Sequence, residues 1–188
     1  EETIARKDGP IALIADINNG RIAADRILIV EGRDALWVMS MGSMVFTIHL
    51  DSDRGGMHTQ YVPFAENPLR HVGDLLGAIQ SCQEHLDATT DHPLAGAERI
   101  DVGSVHGGDY FNRTPTRCTL TGTRRWCPGR NAQQVIEEIE TLTKPFADAG
   151  NLRLTVEMEH EREPFETPGE DAAVRAVAAA HKMVMGDQ

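Results

Sequence analysis

The sequence lacks a long hydrophobic run, a basic stripe and a cysteine framework, and each absence excludes a class of protein. Its 188 residues include three cysteines, too few for a disulfide scaffold and typical of a reducing compartment. Apolar runs such as residues 27–30 and 176–180 fall far short of the roughly 18 residues that a membrane span requires. A formal net charge of −11 argues against a nucleic-acid partner. With no secretory signal peptide, these features predict a cytoplasmic protein without membrane or nucleic-acid partners.

Both ends of the sequence look like cut points. There is no initiator Met, and the chain opens on Glu1 and Glu2. Near the other end, Thr167, Pro168 and Glu170 predict a helix start with a capping box. The apolar stripe of that helix ends near Gly186 with nothing to cover it, so we expect a fragment of a larger protein.

The hydrophobic pattern divides the chain into three segments. Residues 1–35 contain a short helix over residues 10–17, and the apolar run at residues 26–30 is typical of a buried strand in a parallel or mixed sheet. We interpret this segment as part of an α/β domain. Residues 36–163 form a second domain, and residues 164–188 begin a helix that returns to the first.

The middle segment predicts the order β-α-β-β-α-β of a ferredoxin-like fold. One long or two short strands, interrupted at Gly42, lead to a helix that Asn67 and Pro68 begin. Strands around residues 100–105 and 118–126, a helix over residues 135–142 and a strand over residues 152–158 follow. The expected fold class is α+β, with a four-stranded antiparallel sheet that carries two helices on one face and leaves the other face and an edge free.

Glu1, Glu2 and Glu31 are the first candidates for chemistry. Glu31 directly follows the predicted buried strand, and open α/β sheets bind ligands at the carboxyl ends of their strands. In a site with two metal ions, one carboxylate serves as general base while others hold the cations. The alternative is an ordinary solvated acidic terminus.

His58, Asn112 and Arg125 are the other candidates. Gly55 and Gly56 permit backbone conformations that could aim His58 away from a sheet end, and a guanidinium on a sheet is suited to clamp a carboxylate. The alternatives are a surface loop and a solvated strand face. The three cysteines lack the close pair that structural zinc prefers, so they predict core packing.

The order of these motifs resembles the zinc-dependent family that includes aminoacylase, acetylornithine deacetylase, succinyl-diaminopimelate desuccinylase and carboxypeptidase G. Those enzymes carry a Glu-Glu pair, then an Asp, an apolar run and a Glu, matched by residues 25–31. An inserted lid or dimerisation domain follows. Its Gly-x-x-His element, Gly-Gly–Asn-x-x-Pro element and Arg/Pro-Gly strand end match residues 55–58, 107–115 and 124–129.

The resemblance implies a role for each candidate residue. Glu1 would be the general base, while Glu2 and Glu31 would each ligate one of two divalent metal ions, expected to be zinc. His58 would reach across a homodimer to stabilise an oxyanion, and Asn112 and Arg125 would hold the substrate carboxylate. The implied substrate is an N-acyl amino acid or small peptide.

Departures from the family pattern leave other functions open. The upstream His-x-Asp motif, the bridging Asp and the downstream ligand His are absent from the sequence, so we expect the fragment alone to be inactive. The alternatives are a ferredoxin-like module that binds a small ligand and dimerises, and a structural dimerisation domain without a site.

Overall fold

A computed structural model describes residues 8–29, 35–149 and 152–186, and the chain divides into two compact units. The larger unit spans Trp37–Pro168, and the smaller unit combines Glu1–Leu36 with Gly169–Gln188. In chain order the helices and strands are α1 (Asp8–Asn18), β1 (Met39–Ser40), β2 (Gly42–Asp51), α2 (Pro68–Thr89), β3 (Arg99–Gly107), β4 (Arg117–Trp126), α3 (Ala132–Asp148), β5 (Arg153–Arg162), β6 (Phe165–Glu166) and α4 (Ala172–Met185).

The larger unit is built on a four-stranded antiparallel sheet with the strand order β3-β4-β2-β5. Helices α2 and α3 pack against each other and against this sheet, so the order β-α-β-β-α-β and the α+β class are confirmed. Strands β3 and β5 are its two edges. Strands β1 and β6 form a separate antiparallel pair, in which Met39 lies opposite Glu166.

Alternation of apolar and polar residues explains why β2 and β4 form the centre of the sheet. Phe46 and Ile48 of β2 and Leu120 of β4 are each at most 1% exposed on the face that the helices cover, while Thr47 and Thr121 lie on the open face. These side chains form one hydrophobic core together with Trp126, Leu75 of α2, and Val135 and Ile139 of α3.

Side-chain caps set where the two helices of this unit begin. Asn67 Oδ1 accepts a hydrogen bond from Leu69 N at 3.1 Å, and Pro68 occupies the first turn of α2, as the sequence predicts. Helix α3 begins with a reciprocal capping box between Asn131 and Gln134.

Two local predictions are wrong. Residues 26–29 form no strand, and Ile27, Leu28 and Ile29 are each more than half exposed, because no strand among the described residues pairs with them. Helix α4 begins at Ala172 and is capped by Asp171 and not by Thr167, whose backbone N–H, which a capping box would use, donates to Val38 O at 2.7 Å.

In the smaller unit, Asp171 links the cap of α4 to Arg26. Its Oδ1 accepts a hydrogen bond from Ala173 N at 2.9 Å, and its Oδ2 receives one from Arg26 Nη2 at 2.8 Å. The hydrogen bond from Arg26 and those from the helix backbone lower the pKa of the Asp171 carboxyl. No helix within the described part of the chain has the length and apolar character needed to cross a membrane.

Candidate functional site

Two loops meet at the end of the sheet where β2 ends and β4 begins. Their backbones are joined by Gly56 N to Thr114 O at 2.9 Å and by Thr114 N to Met57 O at 2.8 Å. Thr59 N donates to Asn112 O at 2.9 Å, which extends this short antiparallel pairing past His58. The pairing holds the two predicted site residues His58 and Asn112 side by side.

The His58 imidazole has hydrogen-bond contacts at both ring nitrogens. Nδ1 accepts a hydrogen bond from Gln60 N at 3.2 Å, and Nε2 lies 3.1 Å from the side-chain amide of Asn112. The ring centroid is 5.8 Å from that of Tyr61. The side chain is exposed at the surface, so a ligand can reach it.

Gly55 and Gly56 shape the loop that carries His58. A Cβ atom at residue 55 would lie 2.5 Å from Thr116 Cα, so only glycine allows the two loops to approach this closely. Gly56 has a φ of +85°, in the left-handed region that other residues rarely adopt. These are the two glycines that the sequence marks as able to aim His58.

An aromatic surface borders the His58–Asn112 pair and was missed by sequence reasoning. Phe111 is 84% exposed, and its ring centroid is 4.5 Å from that of Tyr110. Arg113 binds Asp109 through two hydrogen bonds and lies over the Tyr110 ring. These side chains line an open cleft of about 500 Å³. The sequence feature that could have indicated this surface is the Tyr-Phe dipeptide directly before Asn112 in a polar loop.

Arg125 lies at the opposite end of the sheet. It is paired with Ser43 of β2 and Arg99 of β3, whereas His58 follows the far end of β2 after Asp51. At about 3.3 Å per residue along β2, roughly 25 Å separates the Arg125 backbone from the His58 loop. Arg125 forms no ion pair with any residue that the structure describes. Within one chain, therefore, Asn112 and Arg125 do not converge.

Arg124 faces the core, as its shared parity with Leu120 indicates. Its guanidinium is 0% exposed and binds Glu98 Oε2 and Glu138 Oε1, each at 2.6 Å. Arg130 also contacts both carboxylates, so two cations and two anions form a closed cluster. Burial alone would raise the pKa of Glu138, but hydrogen bonds from Arg124 and Arg130 outweigh it and hold that pKa below its ordinary value. This cluster joins α3 to the sheet and offers no free group to a ligand.

Asp51 anchors the end of β2 next to the His58 loop. Its carboxylate receives two hydrogen bonds from Arg117, at 2.6 and 2.9 Å, and lies 3.7 Å from Arg153. The Arg117 hydrogen bonds lower the pKa of Asp51 against the opposing effect of burial.

Comparison with protein families decides what kind of domain this is. The family model for a peptidase dimerisation domain matches residues 41–151, more than half of the chain. The chain belongs to the M20 peptidase dimerisation domain family. No curated protein sequence matches it significantly.

Several solved structures share this fold at 13% identity. The M20 family metallo-carboxypeptidase from Sulfolobus solfataricus aligns with a TM-score of 0.61 over 80% of this chain and 50% of that one. Human carnosine dipeptidase 1 aligns with a TM-score of 0.59 over 82% of this chain and 45% of its own. A dinuclear metal-binding M20 peptidase from Bacillus subtilis aligns with a TM-score of 0.51 over 77% of this chain and 32% of its own. The chain thus spans about a third to a half of these neighbours' lengths.

The M20 resemblance implies metal ligands that the described residues do not contain. Within residues 8–29, 35–149 and 152–186, no group of three or more His, Cys, Asp and Glu side chains could hold a metal ion. Glu1, Glu2 and Glu31 all lie outside the described residues. The described residues alone therefore do not fit a metal pair.

Proposed function

We propose that this chain is part of a metal-dependent hydrolase that cleaves the amide bond of N-acyl amino acids or small peptides. The observation that carries the proposal is the pairing of His58 with Asn112 at an exposed end of an M20 dimerisation domain. Residues 36–163 are the lid and dimerisation domain. Residues 1–35 and 164–188 contribute to the catalytic domain, and the fragment by itself is inactive.

The proposed catalytic domain holds two divalent metal ions, with zinc as the native metal. Glu1 is the general base, and Glu2 and Glu31 are metal ligands. When bound, such ions polarise an amide carbonyl and generate hydroxide at neutral pH. The three cysteines are unpaired and buried or half-buried, which supports a cytoplasmic location.

His58 supplies a hydrogen-bond donor to the oxyanion that forms when the amide is attacked. Such a donor is most effective when it is already in place before the charge develops. Asn112 and Arg125 bind the substrate carboxylate, for which a guanidinium on a sheet is well suited. Because about 25 Å separates Arg125 from the His58 loop, these groups can act on one small substrate only if two chains contribute.

The proposed homodimer forms through the β3 edge and the neighbouring face of α2. Val105 of β3 and Leu76 of α2 are 41% and 38% exposed, although both are apolar. The other edge strand, β5, has the charged residues Glu157 and Glu159 at solvent-exposed positions, which disfavours pairing there. A second copy would cover the apolar side of the domain.

Mixing two inactive variants of the full-length protein tests the shared site. We expect His58→Ala and Arg125→Ala each to abolish hydrolysis of N-acyl amino acids. In a random mixture half of the dimers are mixed, and each holds one intact site out of two. Activity should therefore return to about a quarter of the wild-type value, as expected for a two-fold symmetric dimer.

The matched control mixes His58→Ala with Asn112→Ala. Both residues belong to the same end of the sheet, so in a mixed dimer one site lacks His58 and the other lacks Asn112. No intact site forms in this mixture, and activity should stay absent. Recovery in this control, or none in the first mixture, would contradict the shared site.

A further inference from the structure

His58 caps a single helical turn through its ring. Thr59–Tyr61 form a short 3-10 helix, and Tyr61 N donates to His58 O at 3.0 Å. The Gln60 N–H lies at the start of this turn, where the backbone offers it no acceptor within the helix. Its hydrogen bond to His58 Nδ1, at 3.2 Å, satisfies it.

This contact determines the tautomer of the neutral ring. A backbone N–H can only donate, so Nδ1 must present its lone pair. A neutral imidazole then carries its proton on the other nitrogen, Nε2. Nε2–H is therefore a donor, and it lies 3.1 Å from the Asn112 side-chain amide.

We propose that Gln60, through its backbone N–H, fixes His58 as the Nε2–H tautomer, and that Asn112 turns its amide oxygen toward this proton. The structure places Asn112 Nδ2 at 3.1 Å from Nε2, so in this tautomer two donors oppose each other. Half a turn of the amide exchanges its oxygen and nitrogen without moving any other atom, and it replaces the conflict with a hydrogen bond.

The resulting pair presents only N–H donors to a ligand. The Asn112 NH₂ group points away from the ring, and Nε2–H is held by a neutral amide oxygen that an anionic oxygen can outcompete. The chemical class that fits is a carboxylate or an oxyanion, and a metal ion is disfavoured because neither ring nitrogen offers it a free lone pair. The choice of ligand rests on the proposed function, whereas the tautomer does not. Gln60 is thus a positioning residue.

Nitrogen NMR of the ¹⁵N-histidine-labelled 188-residue chain measures the tautomer directly. We expect the His58 signals of an unprotonated Nδ1 and a protonated Nε2 at a pH where the ring is neutral. A protonated Nδ1 in the wild-type chain would overturn the proposal without any variant.

Replacing Gln60 tests the cause. Gln60→Pro removes the backbone N–H at an exposed position and also restricts the backbone of Gln60 and Thr59, while Gln60→Ala retains the N–H. We expect the proline variant to shift His58 toward a tautomer mixture, by about two- to tenfold in the ratio, which is the worth of one hydrogen bond. The alanine variant should match the wild type. An equal shift in both variants would overturn the role of the backbone N–H.

Asn112→Asp tests the amide orientation, because an aspartate can only accept. The Nε2–H tautomer should be present both in the wild type and in this variant. A switch from Nδ1–H in the wild type to Nε2–H in the variant would show that the Asn112 NH₂ group donates to the ring. Addition of Zn²⁺ to the wild-type chain should leave the His58 signals unchanged, whereas a stoichiometric shift would overturn the donor-only pair.

Kinetics of the full-length enzyme separate the tautomer from the proposed function. If the tautomer assignment and the oxyanion role of His58 are both correct, Gln60→Pro lowers kcat by about two- to tenfold with little change in KM. The reason is that the Nε2–H donor acts in the transition state. A confirmed tautomer with an unchanged kcat would contradict the oxyanion role of His58 and leave the tautomer assignment intact.

Discussion

His58 Nε2 lies 3.1 Å from the side-chain amide of Asn112, although 54 positions separate the two residues. Helix α2 and strand β3 lie between them in the chain. The contact exists because backbone hydrogen bonds from Gly56, Thr59 and Thr114 join two loops at one end of the sheet. Any change that separates the loops should therefore disrupt the pair.

Gly55→Ala should separate the loops. The added Cβ would lie 2.5 Å from Thr116 Cα, a backbone atom that cannot move away alone. We expect a loss of about 1–3 kcal/mol in unfolding free energy and disruption of the His58–Asn112 contact. Urea denaturation and the His58 NMR signals measure these two effects.

Gly73→Ala is the matched control for this substitution. A Cβ atom at residue 73 meets nothing within 4 Å, and the residue lies inside helix α2. We expect a gain of about 0.5–1 kcal/mol from the higher helix propensity of alanine. Similar losses at both glycines would show that the close approach to Thr116 does not matter.

Val105→Asp should convert the proposed dimer into a monomer. The substitution introduces a charge at the exposed β3 edge, where a paired second copy would have to desolvate it. Thr155→Asp places the same charge on the exposed side of β5 and should leave the dimer intact. Sedimentation velocity measures both. A dimer that survives Val105→Asp and dissociates with Thr155→Asp would move the interface to β5.

Asp51→Asn should destabilise the protein in a pH-dependent manner. The folded-state pKa of Asp51 is lowered, chiefly by its Arg117 hydrogen bonds, so the carboxylate stabilises the fold above its unfolded pKa of about 4 and loses this effect as pH falls through the folded value. Because Arg117 is half exposed, we expect only about 1 kcal/mol at pH 7. Denaturation of the wild type and of Asp51→Asn between pH 7 and pH 3 should show that their difference in unfolding free energy shrinks below about pH 4. A difference that grows on acidification would contradict the sign of the shift.

Arg124→Met should strongly destabilise the domain. It leaves Glu98, which is 3% exposed, with Arg130 as its one remaining cationic partner among the described residues. We expect a loss of about 3 kcal/mol in urea denaturation, because a buried carboxylate loses part of its compensation. Arg125→Met, one residue along on the open face, should cost less than about 0.5 kcal/mol. Equal losses would mean that the buried cluster contributes little.

Metal removal should affect activity and fold differently. A chelator should abolish hydrolysis by the full-length protein, and Zn²⁺ should restore it. The melting temperature of the 188-residue chain should stay unchanged, since none of its described residues forms a metal-binding group. A lower melting temperature in the chelator would reveal a structural metal in this chain, and chelator-resistant hydrolysis would contradict the proposed metal dependence.

Local patterns predicted the elements of the larger unit well. Alternation identified β4 and β5, and Asn67 with Pro68 marked the start of α2. The apolar run at residues 26–30 misled because it matches a buried strand in composition, while strand formation also needs a neighbouring strand. Thr167 was likewise a suitable helix cap by type, but its N–H is bound to Val38 O.

The sequence by itself determined the order β-α-β-β-α-β, the α+β class and the side of the sheet on which Arg124 and Arg125 lie. Residue periodicity and helix capping are local properties, so they can be read without knowing the fold. Only the tertiary structure decided that His58 meets Asn112 and that Arg125 lies at the other end of the sheet. Those placements depend on strand register and on two loops closing against each other, which are interactions between segments distant in the chain.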